Sequence, residues 1–207
     1  MACIRRLPIE GFTEKMVTSK FGPRKAPVAG ATTDHKGVDI GVKTGTPVYS
    51  ANGGLVSYSR RQSDGKGVGE YIVILNPDGI YEIYAHLSQR LVQMGDKVEP
   101  GEKIALSGNT GASSGPHLHF GMATNYIPNN ITKSKWFDPL PFLLDCVKRG
   151  PLRYGIMKIL VDGKEVEIDG RIKEGITETT LRSCGTACGF AVTYDRDRKM
   201  PSLRSKP

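Results

Sequence analysis

Residues 71–85 of the chain read YIVILNPDGIYEIYA, which is two β-rich runs joined by a short turn sequence. Both runs, residues 71–75 and 81–85, are rich in β-branched and aromatic side chains, which favour strands. Asp78-Gly79 lies between them, and an Asp-Gly pair flanked by such runs is a strong signal for a tight hairpin turn. The stretch therefore predicts two antiparallel strands that pair with each other.

Similar runs continue on both sides of this hairpin. Residues 54–58 and 103–106 are β-rich, and turn pairs such as Asn52-Gly53 separate the runs. Between residues 12 and 120, no apolar pattern repeats at the 3.6-residue period of a helix. We therefore predict a mainly β fold.

The character of the sequence changes after residue 132. Residues 136–144 are apolar and punctuated by prolines, and they predict a short helix packed on the edge of the first domain. Gly150-Pro151 is typical of a linker. We therefore expect a first domain over residues 1–150, with a core of about 17–122, and a second over residues 151–207.

Composition and charge limit the expected partners. The 207 residues carry a formal net charge of +8, and residues 148–207 hold 13 Lys and Arg against 8 Asp and Glu. This excess of positive charge is equally compatible with an anionic cell envelope as partner, with nucleic acid as partner, and with a role in solubility alone. Because the basic residues are scattered and no zinc-finger or RRM signature is present, we predict no nucleic-acid partner.

The sequence also predicts no membrane insertion and no signal peptide. The longest apolar run is residues 71–75, whereas spanning a bilayer takes about 20 apolar residues. The basic N-terminus is not followed by the apolar segment of a signal peptide.

The four histidines are the most informative residues. His117 and His119 are two apart in a predicted strand, so their side chains share one face while Leu118 and Phe120 point to the other, into a core. Unpaired polar rings on a buried face are unfavourable, and a bound metal compensates for this. The pair therefore indicates a metal site.

His35 and Asp39 extend this hypothesis. Fully extended, residues four apart are about 13 Å from each other, too far to share an ion with ligand bonds of about 2 Å. We therefore place His35 on a loop and Asp39 at the start of a strand, with Gly37 allowing the bend. Two imidazole nitrogens and one carboxylate oxygen, with one position open, are typical of catalytic zinc.

Three motifs together resemble a known family. Residues 35–40 (HKGVDI), 84–88 (YAHLS) and 108–120 (GNTGASSGPHLHF) are similar to motifs of the lysostaphin/LytM-type zinc endopeptidases, peptidase family M23. The resemblance covers roughly residues 17–122 and implies a two-sheet, largely antiparallel β fold with an open groove. One departure is Gly121, where many members have Glu.

The resemblance also implies a function and a role for each site residue. It implies a zinc-dependent endopeptidase that hydrolyses peptide cross-links or bridges of bacterial peptidoglycan, with one Zn²⁺ per chain. His35, Asp39 and His119 would be the metal ligands. His86 and His117 would be catalytic without binding the metal, His117 as general base and His86 as the group that stabilises the tetrahedral oxygen. The sequence allows these last two roles to be exchanged.

The second domain is predicted to be a small ββαβ module. Residues 159–170 predict a hairpin, 179–188 a short helix and 190–194 a last strand. The module resembles, more weakly, stalk-like repeats of Gram-positive and phage envelope proteins. Binding to the wall, including its anionic polymers, and packing or oligomerisation are equally compatible with it.

The expected place of action is the cell wall outside the membrane. Since no signal peptide is predicted, we expect a bacteriolytic phage or prophage endolysin. Such a protein is made in the cytoplasm and released by lysis or a holin lesion, or is carried on a virion.

Two alternatives remain. One is a non-catalytic M23-like protein that binds or regulates peptidoglycan, although such relatives lose ligands that are present here. The other is a biotinyl or lipoyl carrier domain. A carrier needs a modifiable lysine at a hairpin tip, and the only such pair, Met157-Lys158, follows the first domain.

Overall fold

A computed structural model of the chain describes residues 4–61, 67–127, 133–149, 153–161, 164–172, 190–195 and 200–205. The chain divides into two compact units, Met1–Pro151 and Leu152–Pro207. No helix within the described residues is both long and apolar enough to cross a membrane.

The regular secondary structure in the described part of the first unit consists mainly of short strands. A turn of 3-10 helix, Glu14–Met16, precedes them and one α-helix, α1 (Leu140–Arg149), follows them. The strands are β1 (Val17–Ser19), β2 (Gly22–Pro23), β3 (Asp34–His35), β4 (Val38–Gly41), β5 (Pro47–Tyr49), β6 (Gly54–Arg61), β7 (Glu70–Leu75), β8 (Tyr81–Leu87), β9 (Gln89–Arg90), β10 (Lys97–Val98), β11 (Lys103–Leu106), β12 (His117–Asn125) and β13 (Lys135–Phe137).

The predicted hairpin is confirmed and lies within the largest sheet. Strands β7 and β8 pair antiparallel with Leu75 opposite Tyr81, and the Asn76 side chain closes the turn by accepting hydrogen bonds from the backbone N–H groups of Asp78 and Ile80, both at 3.0 Å. Gly79 has φ +77°, a conformation that favours glycine. The hairpin thus forms where the Asp-Gly signal places it.

The large sheet has the strand order β1-β4-β12-β8-β7-β6-β10, with β13 paired to β12. A second sheet has the order β5-β11-β9, and β2 and β3 form a separate ribbon that the sequence did not predict. All these pairings are antiparallel. The prediction of a mainly β, antiparallel fold is confirmed.

The main core lies on one face of the large sheet. Alternating side chains of β4 and β12, such as Ile40, Leu118 and Phe120, are fully buried together with Val48 of β5 and Ile104 of β11. Because side chains alternate along a strand, the opposite face of β12 presents His117 and His119. The core thereby fixes which face carries the site.

The helix prediction was wrong in its bounds. Residues 135–137 form β13 instead, and α1 begins only at Leu140, whose backbone N–H donates to Asp138 Oδ1 at 2.9 Å. Leu143 and Cys146, three apart on one helical face, are buried in the core. Trp136 therefore lies in a strand of the large sheet and not in the helix.

The second unit contains four strands among its described residues: β14 (Arg153–Val161), β15 (Lys164–Ile172), β16 (Phe190–Asp195) and β17 (Met200–Ser205). Strands β14 and β15 form a hairpin where one is predicted, and β16 covers the predicted last strand. The sheet order is β15-β14-β17-β16. Strand β17 was not predicted, and the predicted helix over 179–188 lies outside the described residues.

Candidate active site

The register of three neighbouring strands brings the sequence-predicted site residues together. In the large sheet, His119 of β12 lies opposite Asp39 of β4 on one side and opposite Ala85 of β8 on the other. His35 enters from the β2–β3 ribbon, and His86 follows Ala85 directly. Residues far apart in the chain therefore meet on the sheet face opposite the main core.

His35, Asp39 and His119 form a tight, buried cluster. His35 Nε2 lies 3.0 Å from Asp39 Oδ1 and 3.0 Å from His119 Nδ1, and His119 Nδ1 lies 2.9 Å from Asp39 Oδ1. Within the described residues, these three side chains each offer one ligand atom, all within 4.8 Å of one another. Two nitrogens and one carboxylate oxygen are a donor set that suits zinc.

The hydrogen bonds of His35 show why this cluster fits a cation. Its Nδ1 lies 2.8 Å from the backbone carbonyl oxygen of Lys20, and a carbonyl can only accept. The ring hydrogen therefore sits on Nδ1, and Nε2 of the neutral ring presents a lone pair to Asp39. Since the carboxylate is also an acceptor, these two atoms need a cation or an extra proton between them.

Asp39 is held as a carboxylate. Arg24 Nη1 donates to its second oxygen, Oδ2, at 2.8 Å and to Ser19 Oγ at 2.6 Å. Burial alone would raise the pKa of Asp39, but its close contacts with His119 and His35 outweigh burial and lower it. Burial in turn lowers the pKa of His119. The cluster therefore favours a negative Asp39 and disfavours a protonated His119.

His86 and His117 lie beside the cluster with a common hydrogen-bond pattern. The His117 Nδ1–H donates to the backbone carbonyl of Gly115 at 2.8 Å, and the His86 Nδ1–H donates to that of Thr110 at 2.7 Å. Their ring centres are 4.7 Å apart. Each neutral ring is thus left with Nε2 as an acceptor, and His117 Nε2 lies 3.5 Å from Asp39 Oδ1.

His86 reaches the site through an unusual backbone conformation. Its φ of +59° makes it the one non-glycine residue with positive φ among the described residues. The register of β7 and β8 also shifts near this point, between Glu70 and Ile72. Regular alternation would place His86 on the core face with Tyr84, whereas the left-handed conformation turns it toward His117 and His119.

Burial makes His86 a neutral ring over a wide pH range. Mainly through burial, and then through the nearby charges of His119 and His117, its pKa is lowered from 6.5 to about 3. The resting form of His86 therefore accepts at Nε2 and donates at Nδ1.

The predicted placement of His35 was wrong, whereas the chain does bend at Gly37 as predicted. His35 ends strand β3, paired with Gly22, and does not lie on a loop. Gly37 is not among the glycines with positive φ. A Cβ at Gly37 would instead lie 2.4 Å from the Phe120 carbonyl oxygen and 2.8 Å from the His119 ring, so only glycine leaves room for β12 and its ligand.

Sequence reasoning missed the groups that orient the site histidines and Asp39. Arg24 lies outside the three motifs that carry the family resemblance, and the sequence assigned it no role. The carbonyls of Lys20, Thr110 and Gly115 carry no side-chain signal, because any residue supplies a backbone acceptor. These contacts depend on the folded geometry alone.

Two cavities border the site. The larger, of about 640 Å³, is lined by His35, His86 and His119 and by aromatic and cationic side chains that include Tyr71, Trp136 and Arg60. The smaller, of about 260 Å³, is lined by Asp39 and His117. Since both cavities touch His86, Arg24 and Ala112, an extended ligand can contact the cluster from both sides.

Comparisons with known proteins agree with this geometry. Residues 33–131 match the model of "Peptidase family M23". The chain is 37% identical over 131 residues to the peptidoglycan DD-endopeptidase ShyA of Vibrio cholerae, which covers 63% of this chain and 29% of ShyA. This chain spans only between 24% and 32% of the length of the first curated relatives that it matches.

Solved structures of similar proteins cover the same region. The catalytic domain of the antimicrobial peptidase lysostaphin from Staphylococcus simulans aligns with a TM-score of 0.53 and 35% identity, over 61% of this chain and 90% of that domain. The catalytic domain of the prophage-encoded M23 protein EnpA from Enterococcus faecalis, solved as a mutant, aligns with a TM-score of 0.51 and 28% identity. That alignment covers 64% of this chain and 95% of the EnpA domain.

Proposed function

We propose that this chain, which belongs to peptidase family M23, is a zinc-dependent endopeptidase that hydrolyses peptide cross-links or bridges of bacterial peptidoglycan. The observation that carries the proposal is the convergence of His35, Asp39 and His119 on one point, with His86 and His117 beside them. Similarity to a peptidoglycan DD-endopeptidase and to an antimicrobial peptidase supports this substrate.

One zinc ion per chain would be held by His35 Nε2, His119 Nδ1 and Asp39 Oδ1. When bound, zinc supplies Lewis-acid polarisation and makes water more acidic. Because Arg24 engages only Oδ2 of Asp39 and the Lys20 carbonyl only Nδ1 of His35, the ligand atoms stay directed at the metal. These contacts orient the ligands before the metal arrives.

His117 is assigned as the general base. Its Nε2 is left to accept a proton from the attacking water, since Nδ1–H is committed to Gly115. Asp39 Oδ1, 3.5 Å from that nitrogen, stabilises the imidazolium that forms. The same ring then returns the proton to the leaving amine.

His86 is assigned to stabilise charge on the tetrahedral oxygen. Its neutral ring has only one N–H, which Thr110 engages, so His86 can donate at Nε2 only after that atom gains a proton. The adjacent His117 ring, 4.7 Å away between centres, would share with His86 the proton that it takes from water and take it back before the leaving amine is protonated. The two roles can still be exchanged, and the variants described in the Discussion separate them.

The proposal is tested with the full chain, loaded with zinc, on purified peptidoglycan and on soluble cross-linked muropeptides. We expect new amino termini to appear, to disappear with a chelator and to return with added zinc. Binding to peptidoglycan without any release of new amino termini would instead support the non-catalytic alternative.

We also propose that the protein acts on the wall outside the membrane as a bacteriolytic endolysin of a phage or prophage, released by lysis or a holin, or carried on a virion. Similarity to a prophage-encoded M23 protein supports this origin. Lysis of living cells by added protein, compared with lysis only after the membrane is permeabilised, tests the side from which it acts.

The second unit is proposed to bind the wall, including its anionic polymers, or to mediate self-association. Its excess of Lys and Arg over Asp and Glu supports the first role. A chain that ends at Gly150 should cleave soluble muropeptides but bind whole sacculi more weakly, most clearly at low salt. Unchanged sacculus binding with a change in oligomeric state would assign the second role.

A further inference from the structure

The loop of residues 107–116, between β11 and β12, holds both histidines that are assigned catalytic roles. A bridge closes the loop, because the backbone N–H of His117 donates to the Gly108 carbonyl at 3.2 Å. The Thr110 carbonyl accepts from His86 Nδ1–H, and the Gly115 carbonyl accepts from His117 Nδ1–H. The position of this loop against the large sheet therefore determines where both rings point.

The side chain of Thr110 also reaches β7 and β8. Its hydroxyl donates to the backbone carbonyl of Leu87 at 2.8 Å and accepts from the backbone N–H of Glu70 at 3.0 Å. Leu87 follows His86 directly in β8, and Glu70, which pairs with Leu87, begins β7. The hydroxyl thus connects the two strands where their register shifts.

Two glycines leave room for this close approach. A Cβ at Gly69, just before β7, would lie 2.5 Å from Thr110 Oγ1, and a Cβ at Gly108 would lie 2.8 Å from the His86 carbonyl oxygen. Both distances are shorter than the roughly 3.5 Å at which nonbonded atoms attract one another. The loop can therefore pack directly against the backbone on both sides of the register shift.

The backbone conformation of His86 needs such support. A φ of +59° is unfavourable for a residue other than glycine, and it persists only where surrounding contacts hold it. The Thr110 hydroxyl holds the residue that follows His86, and the Thr110 carbonyl holds the ring itself. One residue thereby restrains both the backbone and the imidazole of His86.

We propose that Thr110 is a positioning residue for catalysis, whose hydroxyl fixes the left-handed conformation that turns His86 toward His117 and His119. This inference deepens the proposed function and rests on it. Because Thr110 is not among the residues that line either cavity, it acts through His86 and not on the substrate directly.

The first test replaces Thr110 in the zinc-loaded full chain. Thr110→Val removes the hydroxyl and nearly keeps the shape. We expect kcat on soluble muropeptides to fall about 10-fold to 100-fold, as a displaced catalytic group commonly causes, with little change in zinc content or KM. Thr110→Ser keeps the hydroxyl and should restore most of kcat.

The matched control is Thr46→Val. The Thr46 hydroxyl likewise donates to a backbone carbonyl, that of Lys43 at 2.7 Å, but Thr46 lines neither cavity. This variant should leave kcat unchanged. Thr110→Cys, a milder change because a thiol is a weak donor, replaces Thr110→Val if that variant does not fold.

A double-mutant cycle separates positioning from a general loss of structure. In the His86→Ala background, Thr110→Val should lower kcat little further, because the ring that Thr110 positions is absent. A second measurement needs no zinc. Histidine ¹⁵N NMR of the metal-free chain should show His86 with its hydrogen on Nδ1 in wild type, and a mixture of tautomers in Thr110→Val.

Three results would overturn the proposal: an equal fall in kcat in both backgrounds, a Thr110→Ser variant as impaired as Thr110→Val, or an unchanged kcat and tautomer in Thr110→Val. Each of these leaves the endopeptidase function standing. Failure of wild type to cleave any muropeptide would instead contradict the endopeptidase function, and the catalytic role of Thr110 with it.

Discussion

Two buried polar clusters lie on opposite faces of the large sheet. On the core face, the carboxylate of Glu82 meets a donor at every contact. It accepts hydrogen bonds from Asn52 Nδ2 at 2.6 Å, from Asn76 Nδ2 at 3.2 Å and from the Tyr84 hydroxyl at 2.7 Å. This cluster is complete as a hydrogen-bond network and stabilises the fold without any ligand.

On the other face, the acceptors face one another. The Nε2 of His35 and the Oδ1 of Asp39 approach to 3.0 Å, and the hydrogen of His35 is committed to the Lys20 carbonyl on the far side of the ring. A buried network in which acceptors converge is unfavourable without a cation. The Glu82 carboxylate therefore stabilises the fold, whereas the Asp39 carboxylate is arranged to bind a metal.

The pKa values follow the same division. Burial raises the pKa of Glu82, and the hydrogen bonds from Tyr84 and the two asparagines only partly offset it. At Asp39 the imidazoles outweigh burial and the pKa falls. Two buried carboxyl groups of one sheet thus have net pKa shifts of opposite sign, because their hydrogen-bonding partners differ.

The largest expected effect comes from removing a ligand. His119→Ala and Asp39→Ala should each lose bound zinc and reduce kcat/KM by at least about 10³-fold, because the remaining two ligands bind the metal poorly. Glu82→Gln, the matched change in the other cluster, should keep both zinc and activity. Mass spectrometry measures the metal content, and muropeptide cleavage measures the activity. Loss of zinc in Glu82→Gln would contradict the assignment of Glu82 to the fold and of Asp39 to the metal.

The second effect distinguishes the two catalytic histidines, His86 and His117, from the metal ligands. His117→Ala should retain zinc while kcat falls on the order of 10²–10⁴-fold, the usual contribution of a general base. His86→Ala should retain zinc with a loss on the order of 10²–10³-fold. If His117→Ala releases the metal and His119→Ala keeps it, the ligand and the base have been assigned in the wrong order.

A third, smaller effect concerns Arg24, which orients Asp39. Arg24→Gln should weaken zinc affinity by about 10-fold to 100-fold, as the loss of a group that orients a ligand commonly does. Competition with a zinc-binding dye measures it. Lys15→Gln, at an exposed lysine in the 3-10 turn, is the charge-matched control, and an equal loss there would show that only the net charge matters.

The last effect is on the pH dependence of stability, and it has opposite signs at His86 and at Glu82. Since the folded pKa of His86 is about 3 and the ordinary value is 6.5, the unfolded chain takes up a proton first as pH falls. The free energy of unfolding without metal should therefore drop between pH 6.5 and 3, by about 1.4 kcal/mol per unit of pKa difference. His86→Asn, which tolerates positive φ, should reduce this slope.

Glu82 should give the reverse slope. Its folded pKa lies above 4.5, so the unfolded chain loses its proton first as pH rises, and the free energy of unfolding should fall as pH rises above 4.5 through the folded pKa. Glu82→Gln should remove this decline. Denaturant unfolding followed by the fluorescence of Trp136, the single tryptophan of the chain, measures both slopes. The same slope in Glu82→Gln and wild type would contradict the assignment.

Much of the first unit could be predicted because its signals are local. The Asp-Gly turn between two β-rich runs predicted the β7–β8 hairpin, and alternation along residues 117–120 predicted which side chains face the core. The same rule fails at His86, because the left-handed backbone conformation of this residue turns its side chain to the opposite face of the sheet. A non-glycine residue with positive φ has no reliable sequence signal.

The rest depends on contacts between distant segments. Nothing near Gly37 shows that β12 will pass within 2.4 Å of a Cβ there, and nothing near Arg24 shows that its guanidinium will meet Asp39. Likewise, the apolar content of residues 136–144 predicted a helix, but pairing with β12 drew residues 135–137 into a strand. Tertiary pairing outweighs local propensity at such positions.

His35, Asp39 and His119 are expected to bind one catalytic metal ion. Titration of zinc into the metal-free full chain, with X-ray absorption recorded on the complex, tests this binding. We expect about one zinc per chain, bound by nitrogen and oxygen at about 2.0–2.2 Å with no sulfur ligand, and no such binding in His119→Ala. A stoichiometry near zero, or a sulfur ligand at about 2.3 Å, would contradict it.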